Sequence, residues 1–243
     1  MNTTHDTPCG DGGLHDSTAT IPAVAPGVPR STDCAARPAE IVREYDLSAG
    51  ANVIHGVTYD GERIWAATGA RLLAVYPSSG SVTRTLERVC DAGTAFDGRH
   101  LYQIAETRID KIDPATGEVL ASIPSPGAGN DSGLAWADGS LWVGQHRNRR
   151  IHKIDPDTGA IQRTIDADRF VTGVTWVDGE LWHGTWEGDA SDVRRIDPDS
   201  GAVLERLDLP PGVGVSGLES DGADLFYCGG GSSGKVRAIL RRA

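Results

Sequence analysis

A chain of 243 residues, 39% of them hydrophobic, has the length of one large all-β domain. Its formal net charge of −11 argues against nucleic acid and anionic membranes as partners. No run of about 18 apolar residues marks a membrane span. The four cysteines, Cys9, Cys34, Cys90 and Cys228, stand far apart with no Cys-X-X-Cys pair, which fits a reducing compartment, and the expected location is cytoplasmic.

Residues 1–39 lack a basic start followed by an apolar core, and from residue 17 they are rich in Pro, Ala and Thr, so they read as a flexible tail. Residues 40–243 read as the folded domain. It opens with an orphan strand, Glu40-Ile-Val-Arg-Glu-Tyr-Asp46. Five repeats follow, each opened by a glycine: Gly56, Gly93, Gly133, Gly173 and Gly217, spaced 37, 40, 40 and 44 residues apart. After the glycine comes a short apolar run and a tight Asp-Gly turn, as in Gly56-Val-Thr-Tyr-Asp-Gly61 and Gly173-Val-Thr-Trp-Val-Asp-Gly179. A second run carries Trp65, Tyr102, Trp142, Trp182 or Phe226. The third ends in Ile-Asp-Pro in the middle repeats, and a turn such as Asp155-Pro-Asp-Thr-Gly159 leads to the fourth. A four-stranded unit of about 40 residues is the signature of a β-propeller blade. The last repeat has only three strands, ending in Lys235-Val-Arg-Ala-Ile-Leu240. The orphan strand is expected to complete it and close a five-bladed ring, removing an open sheet edge.

The Asp-Gly and Asp-Pro turns fall on one face, and turn geometry explains them. The opposite face carries the variable loops, where sites are usually built. Just before the repeat glycines stand His55, Ala92, Ser132, Thr172 and Ser216, with Asp91 and Asp131 one position earlier. The second-to-third-strand loops bring Glu106, His146, Trp186, Glu187 and the glycine run after Cys228. His183 stands where other repeats have Ala66, Gln103 and Val143, and Glu219 where they have Thr58, Ala95, Ala135 and Thr175. A carboxylate on an innermost strand needs a partner or the central channel. Some features read as plain structure. Gly229-Gly-Gly-Ser-Ser-Gly234-Lys235 lacks the hydroxyl and helix of a phosphate loop. Trp65, Trp136, Trp142, Trp176 and Trp182 recur at repeat positions and read as core. Trp186 reads equally as a substrate wall or as an interblade plug, and Cys228 more readily as an inert thiol than as a nucleophile.

Two segments, Val53-Ile-His55-Gly56-Val57 with Trp65-Ala-Ala-Thr-Gly69 and Cys90-Asp-Ala92-Gly93 with Tyr102-Gln-Ile-Ala-Glu106, resemble the first two repeats of the five-bladed propeller glutaminyl cyclases. Those enzymes convert N-terminal glutamine to pyroglutamate without a redox cofactor. The resemblance spans roughly residues 41–240 as a repeat pattern. At the family's functional positions this chain has His55 for a glutamine, Ala66 and Ala92 for glutamates, and Glu106 for a tryptophan. Alanine transfers no proton, so the resemblance implies the architecture and a cyclase-like or lyase-like chemistry rather than glutaminyl cyclisation. A looser similarity, in the Gly-Leu-Ala, Asp-Gly and Leu-Trp pattern, is to the streptogramin lyases, whose rings have more blades and which use a histidine base with magnesium.

The expectation is a cyclase or lyase acting on a small molecule by proton transfer. His55 is the base, with Asp91 or Glu187 as its partner or as the acid, and Trp186 a substrate wall. Glu106, His146, His183, Glu219 and Cys228 are further candidates for binding. Two alternatives stay open: a non-catalytic small-ligand propeller, and a divalent metal site built from His55, His146, His183 and Glu187. The cofactor is accordingly none or a divalent metal ion.

Overall fold

A computed structural model describes residues 34–242. Residues 1–33 of the expected tail, Cys9 among them, lie outside the described residues. Strands β1 (Ala35–Pro38) and β2 (Ile41–Asp46) precede the repeats. Blade one holds β3 (Gly56–Tyr59), β4 (Ile64–Ala67), β5 (Gly69–Val75) and β6 (Val82–Cys90), and blade two β7 (Thr94–Phe96), β8 (Leu101–Ala105), β9 (Arg108–Ile112) and β10 (Val119–Pro124). Blade three holds β11 (Asp131–Ala137), β12 (Ser140–Gln145), β13 (Arg150–Ile154) and β14 (Ile161–Asp166). Blade four holds β15 (Val171–Val177), β16 (Glu180–Glu187), β17 (Ala190–Ile196) and β18 (Val203–Asp208). Blade five has β19 (Gly217–Ser220), β20 (Leu225–Gly229) and β21 (Lys235–Leu240), and β2 is its fourth strand. The architecture is the five-bladed β-propeller that the repeats predict, and the N-terminal strand closes it.

The closing pair is antiparallel, from Ile41 opposite Ile239 to Asp46 opposite Lys235. Tyr45 is buried there, its ring edge-on to Tyr227 at 6.3 Å, and Glu44 pairs with Lys235 at 3.0 Å and Arg237 at 2.6 Å. The preceding residues differ from the expectation. Ala35–Pro38, inside the stretch read as tail, forms β1 and runs parallel to β18 as a fifth strand of blade four. Arg37 ties it down, pairing with Glu205 at 3.5 Å and donating to the Arg241 carbonyl.

The repeat glycines have a steric cause. A Cβ added to Gly56 would lie 2.9 Å from Gly93 Cα, and one on Gly93 2.6 Å from the Gly133 carbonyl carbon. Gly133 meets Gly173 and Gly173 meets Gly217 in the same way, both at 2.7 Å, and Gly217 returns to Gly56 Cα at 2.7 Å. Five innermost strands thus touch backbone to backbone in a closed ring that only glycine fits.

Aromatic pairs fill the wedges between blades: Tyr102 on Trp136 at 5.4 Å, Trp142 on Trp176 at 5.5 Å and Trp182 on Phe226 at 5.0 Å. The outermost strands do not alternate as a half-exposed sheet would. In blades two, three and five they are mostly exposed with a single anchor near the end, Ile123, Ile165 or Tyr45, because blades diverge outward and leave both faces of the rim strand bare.

Candidate functional site

A cavity of about 370 Å³ lies on the variable face. All five residues that precede the ring glycines line it: His55, Ala92, Ser132, Thr172 and Ser216. Repetition alone produces this convergence, because each blade contributes the same backbone position to the axis. Four of the five cannot titrate, and two of those are tied to backbone. The Ser132 hydroxyl has the Val171 carbonyl at 2.7 Å as its nearer acceptor, with that of Gly144 at 3.1 Å, and the Ser216 hydroxyl donates to the Ile54 carbonyl at 2.5 Å. His55 is the exception.

The His55 ring lies against Gly69, whose φ of +92° is a conformation that glycine adopts and other residues rarely do; a Cβ there would sit 3.5 Å from Nε2, in ordinary contact. Burial lowers the His55 pKa below its ordinary 6.5, against an opposing pull from the Asp91 carboxylate. The imidazole is therefore neutral at pH 7. Asp91 also lines the cavity, from an exposed position on the neighbouring blade. Its carboxylate accepts the Glu106 N–H at 3.1 Å, holding a turn in which Glu106 takes φ 56°.

His146 and Trp186 form part of the wall. The His146 ring packs at 4.6 Å on Phe170, and burial first, then Arg147, lowers its pKa. Trp186 is wedged against Gly214 and Gly231, where added Cβ atoms would come within 2.6 and 2.7 Å of its ring, and Nε1 donates to the Gly188 carbonyl at 3.1 Å. It is both a plug between loops and a wall of the cavity.

The other expected site residues lie elsewhere. Glu187 faces away: it pairs with Arg149 at 3.1 Å and Arg169 at 3.6 Å, and accepts the Phe170 N–H at 3.0 Å. It supports the ring under His146 and cannot share a proton with His55. The Glu106 side chain is exposed and pairs with Arg108 at 3.5 Å. His183 is fully buried on β16 beside the Arg194–Asp192 ion pair, and burial pushes its pKa down to about 4. Cys228 is sealed in the core, where burial lifts its thiol to about 12 and makes it inert.

Glu219 lies in the central channel, accepting hydroxyl donors from Thr58 at 2.7 Å and Thr175 at 2.5 Å, one from each neighbouring blade. The channel leaves part of its surface open, yet the surrounding protein strips its hydration and pushes its pKa up to about 7. It pins three innermost strands and does not line the cavity. The four-residue metal set fails on the same geometry, since neither His183 nor Glu187 lines the cavity. Among the described residues no three His, Cys, Asp or Glu side chains are grouped to hold a metal ion. No helix there is long and apolar enough to cross a membrane.

Asp131 was not among the candidates, although it stands in the same sequence position as Asp91. It lines the cavity, buried, accepting the Gly127 N–H at 3.0 Å.

Compared with known proteins, the chain matches no family model and no curated protein. Among solved structures it is similar to the glutaminyl cyclase of Myxococcus xanthus, with a TM-score of 0.71 and 17% identity over 85% of this chain and 97% of that one. It is also similar to a chain of a mitotic checkpoint complex, with a TM-score of 0.54 and 14% identity over 95% of this chain and 100% of that one. At these identities the likeness is one of fold, and the fold this chain shares with the glutaminyl cyclase is the five-bladed propeller.

Proposed function

We propose that this chain is a small-molecule cyclase or lyase that works by proton transfer at the axial cavity, with His55 as the base, and that it is not a glutaminyl cyclase. The observation that carries the reading is the convergence of five equivalent positions on one cavity, of which only His55 can titrate. A neutral imidazole accepts a proton from a substrate N–H, O–H or activated C–H. The electron pair of that bond then closes a ring or forms a double bond, the leaving group departs, and the imidazolium returns the proton to it. Asp91 steadies the imidazolium while it carries that proton, consistent with its pull on the His55 titration. Trp186 supplies a flat apolar wall for the substrate. Ala92 and Ala66 stand where the resembling family has carboxylates, which argues against glutaminyl cyclisation.

The test is a panel of small cyclic esters, amides and glutaminyl peptides assayed with the parent and with His55→Gln. Glutaminyl peptides are expected to release no ammonia. A panel member that is turned over should lose two to four orders of magnitude, on the order of a general base's contribution, while still binding. Its rate should hold at pH 6.5 and fall as the pH drops through the His55 pKa, which burial places below that value. Turnover unchanged in His55→Gln would refute the base. Ligands that bind without turnover, weakened by about 1–3 kcal/mol in the variant, would instead mark a binding module.

A further inference from the structure

A second cavity, of about 350 Å³, opens on the other side of His55. Val53 and His55 line both cavities, so the two adjoin at these residues. The remaining lining comes from the loop between β2 and β3 and from the start of β5, with Ser48, Asn52, Thr68 and Arg71 as its polar side chains. That loop, residues 47–55, is the longest of the blade-to-blade connections, because it joins the closing strand to blade one.

Arg71 is the one cation lining either cavity among the described residues. The β5–β6 register sets Glu87 opposite it, yet no carboxylate among the described residues lies within ion-pair distance of its guanidinium. The side chain turns instead to the loop, where Nη2 donates to the Gly50 carbonyl at 2.7 Å. One donor is thereby fixed, and the rest of the fork remains for a ligand. Guanidinium is always charged and matches the geometry of carboxylate and phosphate oxygens. In a chain of net charge −11, a half-buried arginine inside a polar cavity is a selective place for an anion.

We propose that this second cavity is an oxyanion subsite in which Arg71 holds a carboxylate or phosphate of the substrate, while the rest of the substrate passes His55 into the axial cavity. This rests on the reading of His55 as the reacting base and narrows the substrate to a small acid or phosphate ester. Binding here needs no turnover, so it can be tested separately.

The experiment titrates inorganic phosphate and, separately, acetate into the whole protein, followed by backbone amide and imidazole NMR. Saturable shifts are expected at residues 48–55 and 68–71, together with a rise in the measured His55 pKa as an anion settles beside it. Affinity should fall about ten-fold or more in Arg71→Gln and recover in part in Arg71→Lys, which keeps the charge and loses the fork. Amide spectra of blades two to four, unchanged between parent and variants, check the fold. Should Arg71→Gln not fold, Arg71→Lys must still bind more weakly than the parent. A response to phosphate alone marks a phosphate ester, and an equal response to acetate marks a carboxylic acid. No saturable shift with either anion, or shifts that persist in the variants at parental affinity, would overturn the subsite. Anion binding that survives alongside a catalytically silent His55 would leave the subsite standing and remove the proton-transfer reading.

Discussion

Two buried titrating side chains set opposite pH demands on this propeller. Glu219 has its pKa raised to about 7 in the folded chain, from 4.5. Its favourable contribution is therefore complete below pH 4.5 and lost as the pH rises towards 7. His183 has its pKa lowered to about 4, from 6.5. Its contribution is complete above pH 6.5 and lost as the pH falls towards 4. Between pH 4.5 and 6.5 the unfolded chain holds the histidine proton and the folded chain holds the glutamate proton. The two slopes cancel. Glu219→Gln removes one of them, so the stability of the variant should climb with pH by up to about 1.4 kcal/mol per unit across that window. Above pH 7 the variant should be more stable than the parent by about 1–3 kcal/mol, reduced by the channel water that already screens the carboxylate. Urea unfolding of both proteins at several pH values checks this. The other carboxylates are common to both, so parallel pH profiles would show that Glu219 is not held as an acid in the channel.

At the scale of single strands, what looks like a loop signal in sequence is often a statement about backbone room. Gly133 opens blade three, and a methyl group there would meet Gly173 and Val174 backbone at 2.7 Å. Neither strand can retreat, since each is locked to the next around the ring. Gly133→Ala should cost about 2–3 kcal/mol by overpacking, even though alanine suits an ordinary strand conformation. Gly139, in the Asp-Gly turn of the same blade, has open space around it and φ +72°. Gly139→Asn should be nearly neutral, because asparagine tolerates that conformation. Denaturant unfolding of the two variants separates steric from conformational need for glycine. A Gly133→Ala protein within about 0.5 kcal/mol of the parent would mean that the ring can open at little cost. Alternation of side chains along a strand accounts for Glu187, which is expected at the site and does not line the cavity. Trp186 and Glu187 are adjacent on β16, so only one of them can face the cavity. Trp186 does, and Glu187 reaches Arg149 and Arg169 instead.

For the molecule as a whole, the number of blades, the variable face and the five axial positions were legible because they are periodic. Period is the one property of tertiary structure that a single sequence displays directly. His183 and Glu106 stand away from the cavity because each deviates from its repeat for a local reason, an ion pair and a tight turn, while Cys228 is the inert buried thiol that its sequence context favours. Arg71 and β1 gave no signal. Arg71 is set apart only by having no carboxylate partner among the described residues, and Ala35–Pro38 has no apolar alternation, being held mainly by Arg37 and backbone bonds to β18. That difference between β1 and β2 makes a graded prediction about closure. Among the described strands, deleting residues 1–39 removes only β1, which leaves all five blades four-stranded and should lower stability modestly while leaving a soluble monomer. Extending the deletion through Asp46 also removes β2, with Tyr45 from the core and Glu44, the carboxylate that Lys235 and Arg237 share. Strand β21 then presents a full unpaired edge, the geometry that recruits other chains. Size-exclusion chromatography of the two truncations should show a monomer for the first and aggregate or insoluble protein for the second. A peptide of residues 34–47, added during refolding, should rescue the second by occupying the vacant edge. A soluble monomer of the longer truncation, melting with the parent and indifferent to the peptide, would mean that the ring holds together through its glycine contacts and interblade aromatics without the closing strand.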